Sequence, residues 1–324
     1  MQPRPRCSTA TRNIMRVMIV RAVFVDANEA LASTAERIIR LAGLELRVNR
    51  EPNIAPAKIP AALDDAEIAI IDHTALPRTV ARQCKRLRHV VFLGSGVRSY
   101  MNPEELQAAG ISVHTIKGYG DTAVAEFTIG LMWAAAKNLA RMDREMRRGN
   151  WQRSEGMQLT GKTLGLVGFG GIAAEVARLA SGIGMRVLAW NRSVRTNVGV
   201  EFMNLESVLA ASDVVSIHLL LTDETRGMIS RDRIAQMKPG AILINTARGA
   251  LVDEDAMIEA LRSGHLAHAG LDVFVTEPLP AGHPLSELEN VTLSAHSAFR
   301  TKEASDNLLS AARDHCQRIL TADR

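Results

Sequence analysis

Residues Lys162–Ala174 read KTLGLVGFGGIAA, and the fold follows from how that stretch divides. An apolar run, Thr163–Val167, leads into three glycines, Gly168, Gly170 and Gly171, and an apolar-periodic segment opens at Ile172. This is the pattern of a strand, a tight turn and a helix. The turn reads Gly168-x-Gly170-x-x-Ala173, a dinucleotide fingerprint with alanine in third place. Gly168 permits the turn, Gly170 lets a pyrophosphate approach the backbone, and Ala173 lets the helix pack closely on the strand. The helix start offers free N–H groups and the positive end of a dipole to phosphates. Gly168, Gly170, Gly171 and Ile172 are therefore candidate cofactor contacts.

Working outward, strands alternate with helices on both sides. Before the fingerprint, strands are expected at Arg21–Val25, Leu44–Val48, Ile68–Ile71, His89–Leu93 and Ile111–Thr115. Helices are expected at Glu29–Ala42, Thr79–Leu87, Glu104–Ala109 and, as one long segment, Ala123–Arg148. After it, strands are expected at Arg186–Trp190, Asp213–Leu219, Ala241–Asn245, Ala267–Val273 and Val291–Ser294. The helices between and after them are Phe202–Ala211, Arg231–Met237, Asp253–Ser263 and Thr301–Leu320. Such alternation predicts an α/β fold with parallel sheets. The first half of Ala123–Arg148 is apolar on nearly all faces, which predicts burial against a domain, a second subunit, or both.

The chain has 324 residues, enough for about two domains. Its net charge of +4 is the balance of 39 basic and 35 acidic residues, too small to demand a nucleic-acid partner. Only 4% of residues are aromatic, against a stacking platform for single strands. The longest apolar runs fall short of a membrane span. Cys7, Cys84 and Cys316 form a sparse, odd set without metal-ligand spacing, which fits a reducing, cytoplasmic setting and predicts no structural metal. Arg4, Arg6, Arg12, Arg16 and Arg21 precede the first acid, Asp26, without an apolar core for a targeting peptide. That region reads as a frayed tail, or as residues upstream of a start at Met15 or Met18.

Six stretches, in order, resemble the D-isomer-specific 2-hydroxyacid dehydrogenase family. They are GYGDTAVAEFTIGL (Gly118–Leu131), LGLVGFGGIA (Leu164–Ala173), HLLLTDETRGMI (His218–Ile229), MKPGAILINTARGALVDEDAMIEAL (Met237–Leu261), AGLDVFVTEPLP (Ala269–Pro280) and SAHSA (Ser294–Ala298). The resemblance implies two Rossmann-like, doubly wound parallel-sheet domains with the nucleotide-binding one inserted into the other. The expected division is a flavodoxin-like substrate domain, residues 1–117 with 297–324, and an NAD(P)-binding domain, residues 118–296, with the active cleft between them.

Reduction of a 2-oxo acid needs a cation for the carboxylate, an acid for the carbonyl oxygen, and a group that keeps that acid protonated. Arg248, in NTARG, suits the first role, since guanidinium grips carboxylate through two parallel bonds. His296 suits the second, because imidazole titrates near neutral pH. Glu277 suits the third, as a carboxylate that orients the ring. All three match the family's motifs. The loop Ser95-Gly96-Val97 follows a strand and offers amides to an anion.

At the end of the second nucleotide-domain strand, where an acid takes the ribose hydroxyls of NAD, the sequence reads Asn191-Arg192-Ser193. The missing acid and the arginine lean towards NADP over NAD; the alternative is an asparagine serving ribose in an NAD enzyme. Further candidate cofactor contacts are His218, Leu220, Thr246, Ala247 and Asp272, the last matching the family's acid near the nicotinamide carboxamide. Leu220 and Ala295 stand where the family often has proline, and Arg98 where an acid is common. The sequence thus predicts an NAD(P)-dependent oxidoreductase of a small D-2-hydroxy or 2-oxo acid, as a homodimer. Its rivals are a phosphoglycerate-type dehydrogenase of the same family and a non-catalytic dinucleotide sensor.

Overall fold

The computed structural model describes residues 19–193 and 195–322. The arginines before Arg21, Cys7 and the alternative starts at Met15 and Met18 lie outside the described residues. The chain forms two compact units. One comprises the chain up to Ile116 and from Leu308 onward, the other Lys117–Asn307.

The first unit holds a five-stranded parallel sheet of β1 (Val20–Phe24), β2 (Leu44–Val48), β3 (Ile68–Ile71), β4 (His89–Phe92) and β5 (Ser112–Thr115). Its order is β2-β1-β3-β4-β5. The order reverses between β1 and β3, the place where open α/β sheets form a crevice. Asp26, just past β1 and 1% exposed, accepts hydrogen bonds from the N–H groups of Asp72, His73 and Thr74 at 2.8, 2.8 and 2.7 Å. A carboxylate thus fixes the chain leaving β3.

The second unit holds seven parallel strands: β6 (Thr163–Val167), β7 (Arg186–Trp190), β8 (Val200–Phe202), β9 (Val214–Ile217), β10 (Ala241–Asn245), β11 (Leu266–Leu271) and β12 (Val291–Leu293). Their order is β12-β11-β10-β9-β6-β7-β8, so the winding reverses at β6, the fingerprint strand. One core, with Val215, Ile217, Leu243, Leu266 and Leu271, fills one side of the sheet. A second core packs helices Asp121–Ala136 and Gly171–Gly182 against it through Ala125, Ile129, Met132, Ala173, Val176 and Ala177. The small residues let these two helices lie close.

Three sequence expectations change. The long helix Ala123–Arg148 is two helices, Asp121–Ala136 and Leu139–Arg147, because Asn138 adopts a left-handed conformation (φ 53°) and its side-chain N–H donates to the Glu155 carbonyl at 2.9 Å. Phe202 belongs to strand β8, and the helix after it begins at Leu205 under the Asn204 cap. The return to the first unit falls at Asn307/Leu308, later than the expected 296/297. Segment 297–307 stays with the second sheet because the N–H groups of Ser297 and Ala298 bond the Asp272 carboxylate.

Candidate active site

Three neighbouring strands of the second sheet end in the charged residues. β10 runs into Thr246-Ala247-Arg248, β11 into Asp272 and on to Glu277, and β12 into Ser294-Ala295-His296. Parallel pairing places these ends side by side, at the edge where such sheets bind ligands.

His296 Nδ1 lies 2.7 Å from Glu277 Oε2. The other carboxylate oxygen, Oε1, accepts the Phe274 N–H at 2.9 Å. Burial pushes the Glu277 pKa up. The hydrogen bonds from His296 and Phe274, with the charges of His296 and Arg248, outweigh it and hold the carboxyl below its ordinary value. With Glu277 ionised, Nδ1 carries the hydrogen of this contact, which leaves Nε2 as the nitrogen that can exchange a proton. The ring meets Phe299 edge-on, centroids 6.1 Å apart.

The His296 backbone is left-handed, with φ 47°, an uncommon conformation for a residue with a side chain. Asp272 holds it there. The Asp272 carbonyl accepts the His296 N–H at 2.8 Å. Its Oδ1 accepts Ser294 Oγ–H at 2.6 Å and the Ser297 N–H at 3.0 Å, and Oδ2 accepts the Ala298 N–H at 2.9 Å. Asp272 is fully buried. Both of its oxygens take donors from the Ser294–Ala298 turn, so the side chain braces the backbone that carries His296. The sequence hides this because an acid at a strand end reads alike whichever way it turns.

Arg248 is positioned by Asn245, whose side-chain Nδ2 donates to the Arg248 carbonyl at 3.0 Å and whose Oδ1 accepts the Ala247 N–H at 3.0 Å. The next residue has to be glycine: a Cβ on Gly249 would lie 2.1 Å from the Phe274 carbonyl carbon. The Arg248 loop and the chain leading to Glu277 therefore touch backbone to side. Thr246 is 9% exposed, and its hydroxyl meets that of Thr128 at 2.9 Å. It is thus tied to helix Asp121–Ala136, while Ala247 spends its N–H on Asn245 Oδ1 and its carbonyl on Arg248 Nη1, at 2.6 Å.

The fingerprint turn has the shape a dinucleotide requires. Gly168 has φ 93°, and a Cβ there would lie 2.5 Å from the His218 carbonyl oxygen. A Cβ at Gly170 would meet nothing within 4 Å, so this backbone is open to a ligand. Gly171 begins the helix, with Ile172 next to it, and a Cβ on Gly171 would lie 1.9 Å from Asp121 Oδ2. In the sequence Asp121 reads only as a cap candidate for the helix that follows, a helix that the structure starts at Asp121 itself. Burial, with Glu175 nearby, raises its pKa. Asn191 Oδ1 accepts the Phe169 N–H at 3.1 Å, and its Nδ2 donates to the Ser193 carbonyl and hydroxyl at 2.9 and 3.0 Å. It braces the turn and has little left for a ribose. Arg192 pairs with Glu224 at 3.0 Å. Leu220 is 68% exposed. His218 Nε2 lies 2.9 Å from Ser216 Oγ, and burial lowers its pKa to about 4, so the ring is neutral.

Ser95, Gly96 and Val97 lie in the first unit, where β4 ends. A one-turn helix, Val97–Ser99, follows, and Arg98 is held by both oxygens of Glu104. Among the described residues, the Ser95 and Gly96 N–H groups donate to no other protein group.

A family pattern described as "D-isomer specific 2-hydroxyacid dehydrogenase, NAD binding domain" matches residues 129–298. The chain is 35% identical over 318 residues to a glyoxylate reductase of Aeropyrum pernix, covering 92% of each protein. The chain belongs to the D-isomer specific 2-hydroxyacid dehydrogenase family. It is 33% identical over 287 residues to a hydroxypyruvate reductase of Thermotoga maritima, covering 86% of this chain and 92% of that one. It is also similar to the crystal structure of a glyoxylate reductase from Paecilomyes thermophila, with 27% identity, a TM-score of 0.83, and coverage of 93% and 95%. Like its family, it is an NAD(P)-dependent oxidoreductase that moves hydride between NAD(P)H and a small D-2-hydroxy or 2-oxo acid. No helix among the described residues is long and apolar enough to cross a membrane.

Proposed function

We propose that this dehydrogenase reduces a short 2-oxo acid such as glyoxylate or hydroxypyruvate, with His296 as the proton donor, Glu277 as its partner and Arg248 as the carboxylate clamp. The observation that carries the reading is the 2.7 Å contact between His296 Nδ1 and Glu277 Oε2 beside the Arg248 loop. Bound NAD(P)H supplies the hydride. Arg248 meets the substrate carboxylate and draws charge from the carbonyl. His296 Nε2 gives the proton to the carbonyl oxygen as the alcohol forms, and Glu277 stabilises the cationic ring until then.

Arg192 beside an asparagine, in place of an acid, favours a cofactor carrying a 2′-phosphate. The fixed Asn191 adds to this, since its amide is spent on Phe169 and Ser193. A homodimer is proposed on helices Asp121–Ala136 and Leu139–Arg147 and the chain after them. Trp133, Leu139, Met146 and Trp151 are 40%, 51%, 51% and 77% exposed there, large apolar side chains that a second copy would cover. The buried thiols Cys84 and Cys316 accord with a reducing compartment.

A steady-state panel of glyoxylate, hydroxypyruvate and pyruvate against NADPH and NADH tests the reading. Turnover of a 2-oxo acid, higher with NADPH, is expected; binding of cofactor without turnover of any of them would refute it. Arg192→Ala should weaken NADPH far more than NADH, and equal losses would refute the cofactor assignment.

A further inference from the structure

Arg192 leaves the end of β7, and Glu224 lies in the turn after β9. β6 separates those strands in the sheet, and its end carries the fingerprint. The Arg192–Glu224 pair therefore joins the two loops that flank the nucleotide-binding strand. Both side chains are in water, 84% and 76% exposed, yet both backbones are fixed. Asn191 holds the Arg192 side through Phe169 and Ser193. On the other side Thr225 Oγ–H donates to the Leu220 carbonyl at 2.6 Å and accepts the Thr222 N–H at 2.8 Å, while the Arg226 N–H reaches the Thr222 carbonyl at 3.0 Å. Two anchored loops thus present one cation already matched to one carboxylate.

We infer that Glu224 is a specificity-determining residue that holds down affinity for the 2′-phosphorylated cofactor by competing for Arg192. The inference rests on the proposed NADP reading. A 2′-phosphate has to draw Arg192 away from its present partner and then sits near an unpaired carboxylate. A free 2′-hydroxyl meets neither cost. An exposed pair is weak, so the effect is modest: relief of the competition should tighten NADPH roughly three- to tenfold. It should shrink as salt rises, since both partners are solvated.

The test is equilibrium titration of the full-length protein with NADPH and NADH, read by quenching of its tryptophan fluorescence, for the wild type, Glu224→Gln and Arg192→Ala, at low and high salt. Trp190, at the end of β7, is a nearby reporter. Glu224→Gln should tighten NADPH about three- to tenfold and change NADH less than about twofold, with the NADPH gain falling at high salt. An unchanged ratio of the two dissociation constants, or weaker NADPH binding, overturns the role of Glu224. If Arg192→Ala still weakens NADPH selectively in that case, only this inference falls. If Arg192→Ala weakens both cofactors equally, the NADP reading fails and takes this inference with it.

Discussion

Replacing Asp272 by asparagine separates a bracing role from direct cofactor contact. The carboxylate accepts three donors from the turn that carries His296, at 2.6, 3.0 and 2.9 Å, in a fully buried site. Asparagine keeps one acceptor oxygen. If that oxygen stays with Ser294 and Ser297, the new amide points its own hydrogens at the Ala298 N–H. One charged hydrogen bond, worth about 1.5–3 kcal/mol, is lost, and the remaining two fall to roughly half strength. The sum, about 3–6 kcal/mol, exceeds the ~1–2 kcal/mol that a left-handed residue such as His296 costs. The turn should therefore relax to an ordinary conformation and carry the ring away from Glu277. With His296 as the proposed general acid, its displacement should lower kcat at least ~100-fold. NADPH and NADH dissociation constants should move less than about threefold, because no ligand contact is removed. Single-turnover reduction of glyoxylate, followed by nicotinamide absorbance beside fluorescence titration of each cofactor, gives both numbers. Near-normal single-turnover rates with cofactor binding weakened tenfold or more would refute the bracing role.

Further outcomes follow from the same geometry. Glu277→Gln should cut kcat/KM for 2-oxo acid reduction about 10- to 100-fold, the worth of one charge-assisted bond to His296, while leaving cofactor affinity near the wild-type value; steady-state kinetics with titration checks both. Gly249→Ala should abolish turnover more than it destabilises the fold, since a Cβ 2.1 Å from the Phe274 carbonyl carbon forces the Glu277 chain away from Arg248; an active Gly249→Ala protein would contradict this. Burial holds His268 and His218 at about 4, and burial with neighbouring cations also lowers His114 and His315 in the first unit. Depressed folded-state values mean the unfolded chain binds more protons, so stability is full above the ordinary histidine value of 6.5 and is lost as pH falls from there towards 4. His268 alone supplies up to about 3 kcal/mol of that loss, measurable as a falling urea midpoint between neutral and acid pH; a flat midpoint would contradict it.

The strand, turn and helix at 162–174 are legible in the sequence because each glycine answers to a separate steric demand. Coordinates supply the reasons at Gly168, against the His218 carbonyl, and at Gly171, against Asp121. Arg248, Glu277 and His296 are legible as motif residues, and the strand order β10, β11, β12 explains how positions far apart in the chain come together. Orientation is what the sequence withholds. Asp272 turns inward, Asn191 spends its amide on Phe169, and Thr246 points at Thr128, none of which a residue type reveals. The break at Asn138 is hidden because the flanking segments keep helical periodicity through it. Strand β8 is hidden because three residues carry too little pattern. The Arg192–Glu224 pair joins loops separated by a full strand, so no local signal announces it.

The second sheet divides its labour at β6 and β9. Strands β6 and β7 with the loop after β9 carry the features suited to the nucleotide, whereas β10, β11 and β12 carry the groups suited to proton and carboxylate chemistry. On the proposed roles, coenzyme choice and reaction chemistry lie on opposite flanks of a single scaffold. Redesign of one flank, by grafting the Asn191–Ser193 and Thr222–Thr225 loops together onto a relative, should transfer coenzyme preference and leave the proton-handling apparatus undisturbed.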